Sequence, residues 1–326
     1  MTRYIIKRIF MLIPVVIVVM FIVFALMHLI PYFGMMMRFL PIEGDGDALD
    51  SIFAFFNASN NMFTRYLRYL YNVIFHFDFG DAWGGWSLMH SLMERTLNTL
   101  IILGAGTILT HIIGIPIGIY AAVRKNRAGD RIVNVLTMIL SSIPIFAMAF
   151  LILVFFVLYL GILPASWPYL RPRYFIMPII TVALGGGGIA SIARMTRASM
   201  IEVLEQPYIT ALRAKGLKES QIIFRHALRN ALVPVISAIG GFISQLFIGL
   251  FVAENFFSIP GLSSLLLQAL SMRVFVHELL GVILIMTVIL ATVNIASDIA
   301  YTSVNPKIRL RYSGRSRNKE VRNDKK

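Results

Sequence analysis

The sequence predicts an all-α polytopic membrane protein with six transmembrane helices and both termini cytoplasmic. Three observations carry this. First, 58% of the 326 residues are hydrophobic and only 14% are charged, against about 25% charged in an ordinary soluble domain. A single core cannot hide that much apolar surface, so lipid must be the solvent for much of it. Second, six apolar stretches, near 9–30, 99–123, 132–160, 175–193, 231–251 and 279–301, are long enough to cross about 30 Å of hydrocarbon as helices. Third, with both ends inside, the N-tail, 124–131, 194–230 and 302–326 hold 23 of the 30 Lys and Arg residues, as the positive-inside rule requires. The net charge of +14 is therefore a topology signal, and nucleic acid is not needed to explain it.

Taken in order, the first span follows a basic start, Arg3, Lys7 and Arg8. It reads as a retained anchor, because its apolar run is too long for a leader core and no small-residue cleavage site follows. Residues 1–30 are thus an N-terminal anchor helix. Residues 31–96 form an extracytoplasmic segment with an acidic patch, "EGDGDALD", and an aromatic stretch containing Trp83 and Trp86; with Trp167, these place all three tryptophans outside. Residues 97–303 are the core, with the third span holding Pro144 and the fourth beginning near Pro178. Between the last two spans, Pro260-Gly261 makes a turn and "LSSLLLQAL" a short helix directed back toward the membrane. Residues 304–326 are a basic cytoplasmic tail drawn to anionic lipid.

Several chemistries are excluded. There is no cysteine, hence no disulfide, thiolate metal site or Cys nucleophile. There is no phosphate-binding loop: "GGGG" at 185–188 leads into "IASIAR" with no lysine, and reads as close helix packing or a flexible point. The six histidines are scattered, and "HELLG" lacks the second histidine of a zinc site. Glu254 and Asp298 stand near the ends of spans, unlike the paired mid-membrane acids of ion-coupled transporters. His111 lies deeper but alone. If this chain moves something uphill, the energy comes from another chain.

The basic stretch 194–230 stands out. Ile201, Leu204, Tyr208, Ile209 and Leu212 recur at helical spacing, and Pro207 bends that helix or begins a separate one. Gly216 suits a helix end, and Glu219 suits the start of a second helix with an apolar stripe of Ile222, Ile223, Ala227 and Leu228. Two short helices joined at a glycine fit a hairpin resting on anionic lipid as well as a knob entering a groove on a soluble partner.

This stretch resembles the signature loop of binding-protein-dependent ABC importer permeases, in which Glu-Ala-Ala is followed by three residues and glycine, with an Ile-x-Leu-Pro element beyond. Here Thr210-Ala211-Leu212, Gly216 and His226-Ala227-Leu228-Arg229 occupy those places. Thr210 stands for the acid, Leu212 for the second alanine and Arg229 for the proline, with Pro234 later. These variants resemble the B-type subunit of the dipeptide/oligopeptide/nickel branch. "ARMTRASMIEVL" before the loop, 79–103, "GIPIGIYAAVRKNRAGDR" and "AENFFSIPGLSSLLLQAL" agree, whereas 35–75 matches least.

The resemblance implies a type I ABC importer permease fold, and a transport subunit that is not itself an enzyme. Its partners would be a homologous second permease, two ATPase subunits carrying ATP and Mg, and an extracytoplasmic substrate-binding protein. ATPase closure would pull the cytoplasmic loops together through Thr210, Ala211, Ala214, Lys215, Gly216, Leu217 and Glu219. Glu254, Phe257, Pro260, Gly261 and Leu262 would form an outer gate or binding-protein contact. The cargo would be di- or oligopeptides, the branch also including carriers of nickel chelates, glutathione and oligosaccharides. Two other classes compete. A stand-alone secondary transporter would move substrate as a purified chain and depend on Asp298 or His111. A membrane-embedded enzyme would need His, Asp or Glu gathered at one depth, which the sequence does not offer.

Overall fold

A computed structural model of the chain describes residues 10–26, 62–80, 88–164, 172–270 and 276–304. The acidic patch, the three tryptophans and the tail beyond Val304 lie outside these residues. All regular structure among the described residues is helical: α1 (Phe10–Leu26), α2 (Met62–Tyr71), α3 (Leu88–Val123), α4 (Ala128–Ser142), α5 (Ile145–Tyr159), α6 (Ile176–Leu184), α7 (Gly188–Leu204), α8 (Pro207–Ala214), α9 (Glu219–Phe256), α10 (Leu262–Leu270) and α11 (Val276–Val304).

Four continuous stretches are long and apolar enough to cross a membrane: Leu88–Val123, Pro172–Leu204, Glu219–Phe256 and His277–Ala300. The expected third span, 132–160, is instead two helices bent by 99°. The cause is local. Pro144 disfavours the helical region for the residue before it, and Ile143 accordingly takes φ −81°, ψ 118°. Counted as one bent span, α4–α5 makes a fifth. The described part of the first expected span, α1, is shorter than the other four.

Two further boundaries differ from the expected ones. The second span begins at Leu88 rather than 99, and its 36 residues extend about 54 Å at 1.5 Å per residue, well beyond the hydrocarbon thickness. The fifth also begins early: no proline intervenes before Pro234, so the second half of the basic stretch is continuous with the spanning helix α9, through a π-helical turn at Ile222–Ala227. The fourth span is interrupted between α6 and α7, where Gly186 (φ 59°) and Gly187 (φ 77°) are left-handed. A Cβ on Gly185 would stand 2.5 Å from Ile145 Cγ1, and one on Gly188 2.4 Å from the Ala183 carbonyl oxygen. The glycine run is thus a close-packed local interruption of the helical backbone within one span.

The chain divides into two compact units. In the described residues of Ile9–Leu100 and Ser258–Ala291, the aromatic stretch packs on α1. Met20 and Phe24 of α1 are buried with Tyr66, Leu70, Leu92 and Leu280, and Tyr66 donates to the Ile17 carbonyl at 2.6 Å. In the other unit, formed around Ile101–Phe257, α7 lies along α4. Its core at the foot of the basic stretch joins Ala122, Met200, Ile209, Ile222, Ala227 and Ala231.

Candidate functional site

The basic stretch folds as a capped turn on an apolar base. Gln206 is extended (φ −71°, ψ 143°) and Pro207 takes the first helical position of α8, where its missing N–H costs nothing. At the other end, the Gly216 N–H donates to the Arg213 carbonyl (2.9 Å) and the Leu217 N–H to the Leu212 carbonyl (3.3 Å). This reciprocal pair is the Schellman arrangement, which needs a left-handed residue at its centre. Gly216 supplies it with φ 77°.

The apolar residues of the turn face inward. Ile209 and Ile222 are fully buried, and Leu212, Leu217 and Ile223 pack against them. Consequently Thr210, Ala211, Ala214, Lys215, Gly216 and Glu219 are all exposed, with Leu217 half-buried. The structure therefore gathers the expected coupling residues on one short, outward-facing segment. Arg213 Nε lies 2.6 Å from Glu219 Oε1 across the turn, and the Glu219 carboxylate pushes the guanidinium pKa above its ordinary value. With both side chains about half exposed, the pair contributes about 1 kcal/mol or less; the apolar base holds the segment. Truncating Ile209 or Ile222 to alanine should each cost about 2–5 kcal/mol of local stability, read as faster proteolytic nicking within 205–220.

The second expected group is placed differently. Glu254, Phe257, Gly261 and Leu262 are buried and Pro260 is half-buried. The Pro260-Gly261-Leu262 turn is pinned by α3. Asn98 Nδ2 donates to the Pro260 carbonyl (2.9 Å), and Thr99 Oγ1 accepts the Leu262 N–H (2.9 Å). The Gly261 N–H donates to Ser264 Oγ at 2.9 Å. A Thr99→Val substitution keeps the shape and removes the acceptor. A buried N–H that loses its partner costs about 1–3 kcal/mol, so the thermal midpoint of the detergent-solubilised protein should fall.

Sequence reasoning missed Asn98 and Thr99, and also one ion pair built on a buried carboxylate. Asp130, at the start of α4 and 2% exposed, accepts Arg197 Nε at 2.6 Å and Nη2 at 2.8 Å. It also accepts the Asn126 N–H (2.9 Å) and Asn134 Nδ2 (3.0 Å). The available signal was that Asp130 is the sole acid among four basic residues in 124–131. His111 Nδ1 bonds the Thr107 carbonyl of its own helix at 2.8 Å, and its ring meets Phe242 edge-on.

Comparison with known proteins gives this geometry its context. Residues 114–310 match the family described as binding-protein-dependent transport system inner membrane component. The chain is 33% identical over 317 residues to the dipeptide transport system permease protein DppB of Bacillus subtilis, covering 96% of this chain and all of that one. It is 31% identical over 315 residues to the glutathione transport system permease protein GsiC of Escherichia coli K12, covering 95% and 99%. Among solved structures, an inward-facing MetNI methionine ABC transporter aligns with a TM-score of 0.58 at 20% identity, over 67% of this chain and 98% of that one. The last likeness concerns fold alone.

Proposed function

Since this chain belongs to the family of binding-protein-dependent transport system inner membrane components, we propose that its exposed turn at 207–219 is the surface through which ATPase subunits drive it, and that its cargo is di- or oligopeptides. The chain is an inner-membrane permease subunit of an ABC importer and not itself an enzyme. ATPase subunits and a substrate-binding protein belong to such an assembly. In the proposed assembly there are two ATPase subunits, binding ATP and Mg, and a homologous second permease, with both termini of this chain and its loop cytoplasmic.

The observation that carries the coupling role is the construction of the turn. An apolar base and a Schellman cap hold Thr210, Ala211, Ala214, Lys215, Gly216 and Glu219 outward on a stiff segment. Only contacts that differ between two states can bias one over the other, and a stiff knob transmits a pull that a floppy loop would absorb. Leu217 joins the knob to its base. Glu254, Phe257, Pro260, Gly261 and Leu262 are read as an outer gate element; their burial favours gate packing over direct contact with the binding protein. Peptide cargo is supported by two full-length relatives named for a dipeptide and for glutathione, itself a small peptide.

Affinity purification of this chain from its native membrane should bring ATPase subunits with it. Mass spectrometry of the ligand released from the co-purifying binding protein should show peptides. Uptake by liposomes holding this chain alone would instead establish a self-sufficient transporter. A nickel chelate or oligosaccharide on the binding protein would leave the ATPase reading standing and remove the peptide one.

A further inference from the structure

We propose that Asp130, Arg197 and Arg194 are positioning residues that lock α4 and α7 into one lever, carrying movement of the coupling turn to the Ile143–Pro144 bend. This rests on the coupling role proposed for 207–219.

The two helices are fastened at successive levels: Asp130 with Arg197 through two hydrogen bonds, and Arg194 Nη1 with the Thr137 carbonyl (3.1 Å) and Ser141 Oγ (2.7 Å). Just beyond the helix ends Lys125 and Glu205 also pair, an exposed contact that marks the register and adds little strength. At the far end a Cβ on Gly187 would stand 3.1 Å from Ser141 Oγ, so the backbones there approach closely. The order 125, 130, 137, 141 against 205, 197, 194, 187 shows an antiparallel pair in a single register.

The ends of this pair differ in kind. At one end both helices stop at backbone breaks, α4 at Ile143–Pro144 and α7 at the left-handed Gly186–Gly187. At the other end α7 runs through Glu205 and Gln206 into α8, the first half of the coupling turn. A block fixed along its length, with breaks at one end and the driven segment at the other, turns as a unit. The chemistry of the fastening fits this task. An ion pair with its carboxylate buried seldom stabilises more than an apolar contact of the same size, but losing one partner is costly. The four hydrogen bonds on Asp130 fix its position, and the two-pronged guanidinium fixes the rotation of α7.

The test uses the complete transporter in lipid nanodiscs, with any cysteines of the partner subunits replaced, and exploits the absence of cysteine in this chain. Spin labels at Glu202→Cys and Met138→Cys report the α7–α4 separation; labels at Glu202→Cys and Phe146→Cys report across the bend. With native Asp130 and Arg197, the first distance should stay single and narrow with and without ATP and vanadate, while the second shifts. With Asp130→Asn, the first distance should broaden and the ATP-dependent shift of the second should shrink toward zero, because the bend is no longer held to the driven segment. ATP hydrolysis per complex should persist, since it occurs in other chains. Arg197→Lys keeps the charge but loses the fork, and should give an intermediate result that a general loss of folding would not produce. A first distance that moves with nucleotide in the native protein overturns the lever, as does an Asp130→Asn protein with unchanged distances. Failure of ATPase subunits to bind the native chain would instead count against the coupling role; the width of the first distance in Asp130→Asn without nucleotide would then still decide whether the pair is fastened as described.

Discussion

Replacing Gly216 with proline is expected to abolish retention of the ATPase subunits while leaving the membrane helices folded. Three faults coincide at this position. Proline fixes φ near −65°, whereas Gly216 has φ 77°. Its nitrogen carries no hydrogen, so the bond to the Arg213 carbonyl is lost. Lys215, which is helical at φ −76°, ψ −1°, would precede a proline and be pushed toward extended backbone. The turn cannot form, and the residues it presents are scattered. Alanine has only the first fault: open space surrounds its Cβ, but a left-handed alanine costs about 1–2 kcal/mol. If docking requires the native turn, its affinity falls by the fraction of molecules that keep it, and asparagine, which tolerates this conformation better, should lie between alanine and glycine. The amount of ATPase subunit that stays with the immobilised chain should therefore decrease in the order Gly, Asn, Ala, Pro. Undiminished retention by the proline variant would remove 207–219 from the docking surface.

That turn was legible in the sequence because its determinants are local. Pro207, Gly216 and Glu219 act within a few residues of themselves, and the spacing of Ile209 and Leu212 reveals the inward face. The apolar content of the spans was equally legible, and the family match agrees with the motifs from which the resemblance was drawn. The harder features depend on partners distant in sequence. Asp130 looks like one acid in a basic turn until Arg197, 67 positions on, is placed beside it. Thr99 looks like any threonine at the edge of a span until its hydroxyl is found accepting the Leu262 N–H. Pro144 reads as tolerated within a single span, since a proline in a spanning helix produces anything from a mild kink to a break. The break itself is local, at Ile143 before Pro144; what the sequence does not show is the neighbour that accommodates it, Ile145 lying against the space left open by Gly185. Likewise nothing local shows that the second half of the loop is the start of α9; only the absence of a breaker before Pro234 permits it.

Introducing leucine at Gly118 is expected to prevent accumulation of the folded protein, and even alanine should lower its thermal midpoint. Gly114 and Gly118 lie four apart on α3 and so share one face, where small residues let helix backbones approach in a membrane. The approach is extreme at Gly118. A Cβ there would stand 2.6 Å from the Ala193 carbonyl oxygen and 2.6 Å from Thr196 Cβ. A Cβ on Gly114 would stand 2.9 Å from Ile192 Cβ and 3.1 Å from the Ile189 carbonyl oxygen. These are backbone and β-carbon atoms of α7, which cannot rotate away, so each added carbon must push the two helices apart. Overpacking of this kind costs about 1–3 kcal/mol where side chains can adjust, and alanine at 118 should cost at least that because they cannot. Gly104, on the same helix but with open space around its Cβ, supplies the control: Gly104→Ala should leave the midpoint unchanged or raise it slightly, alanine being the better helix former. The comparison separates close approach from helix propensity. Equal midpoints for the two alanine variants would show that α3 and α7 do not meet as closely as described. The consequence also reaches the proposed lever, since a Cβ on Gly118 would stand 3.1 Å from the Arg197 backbone nitrogen. Gly118→Ala should therefore loosen the Asp130–Arg197 fastening as well, broadening the α7–α4 distance without any change to the charged residues themselves.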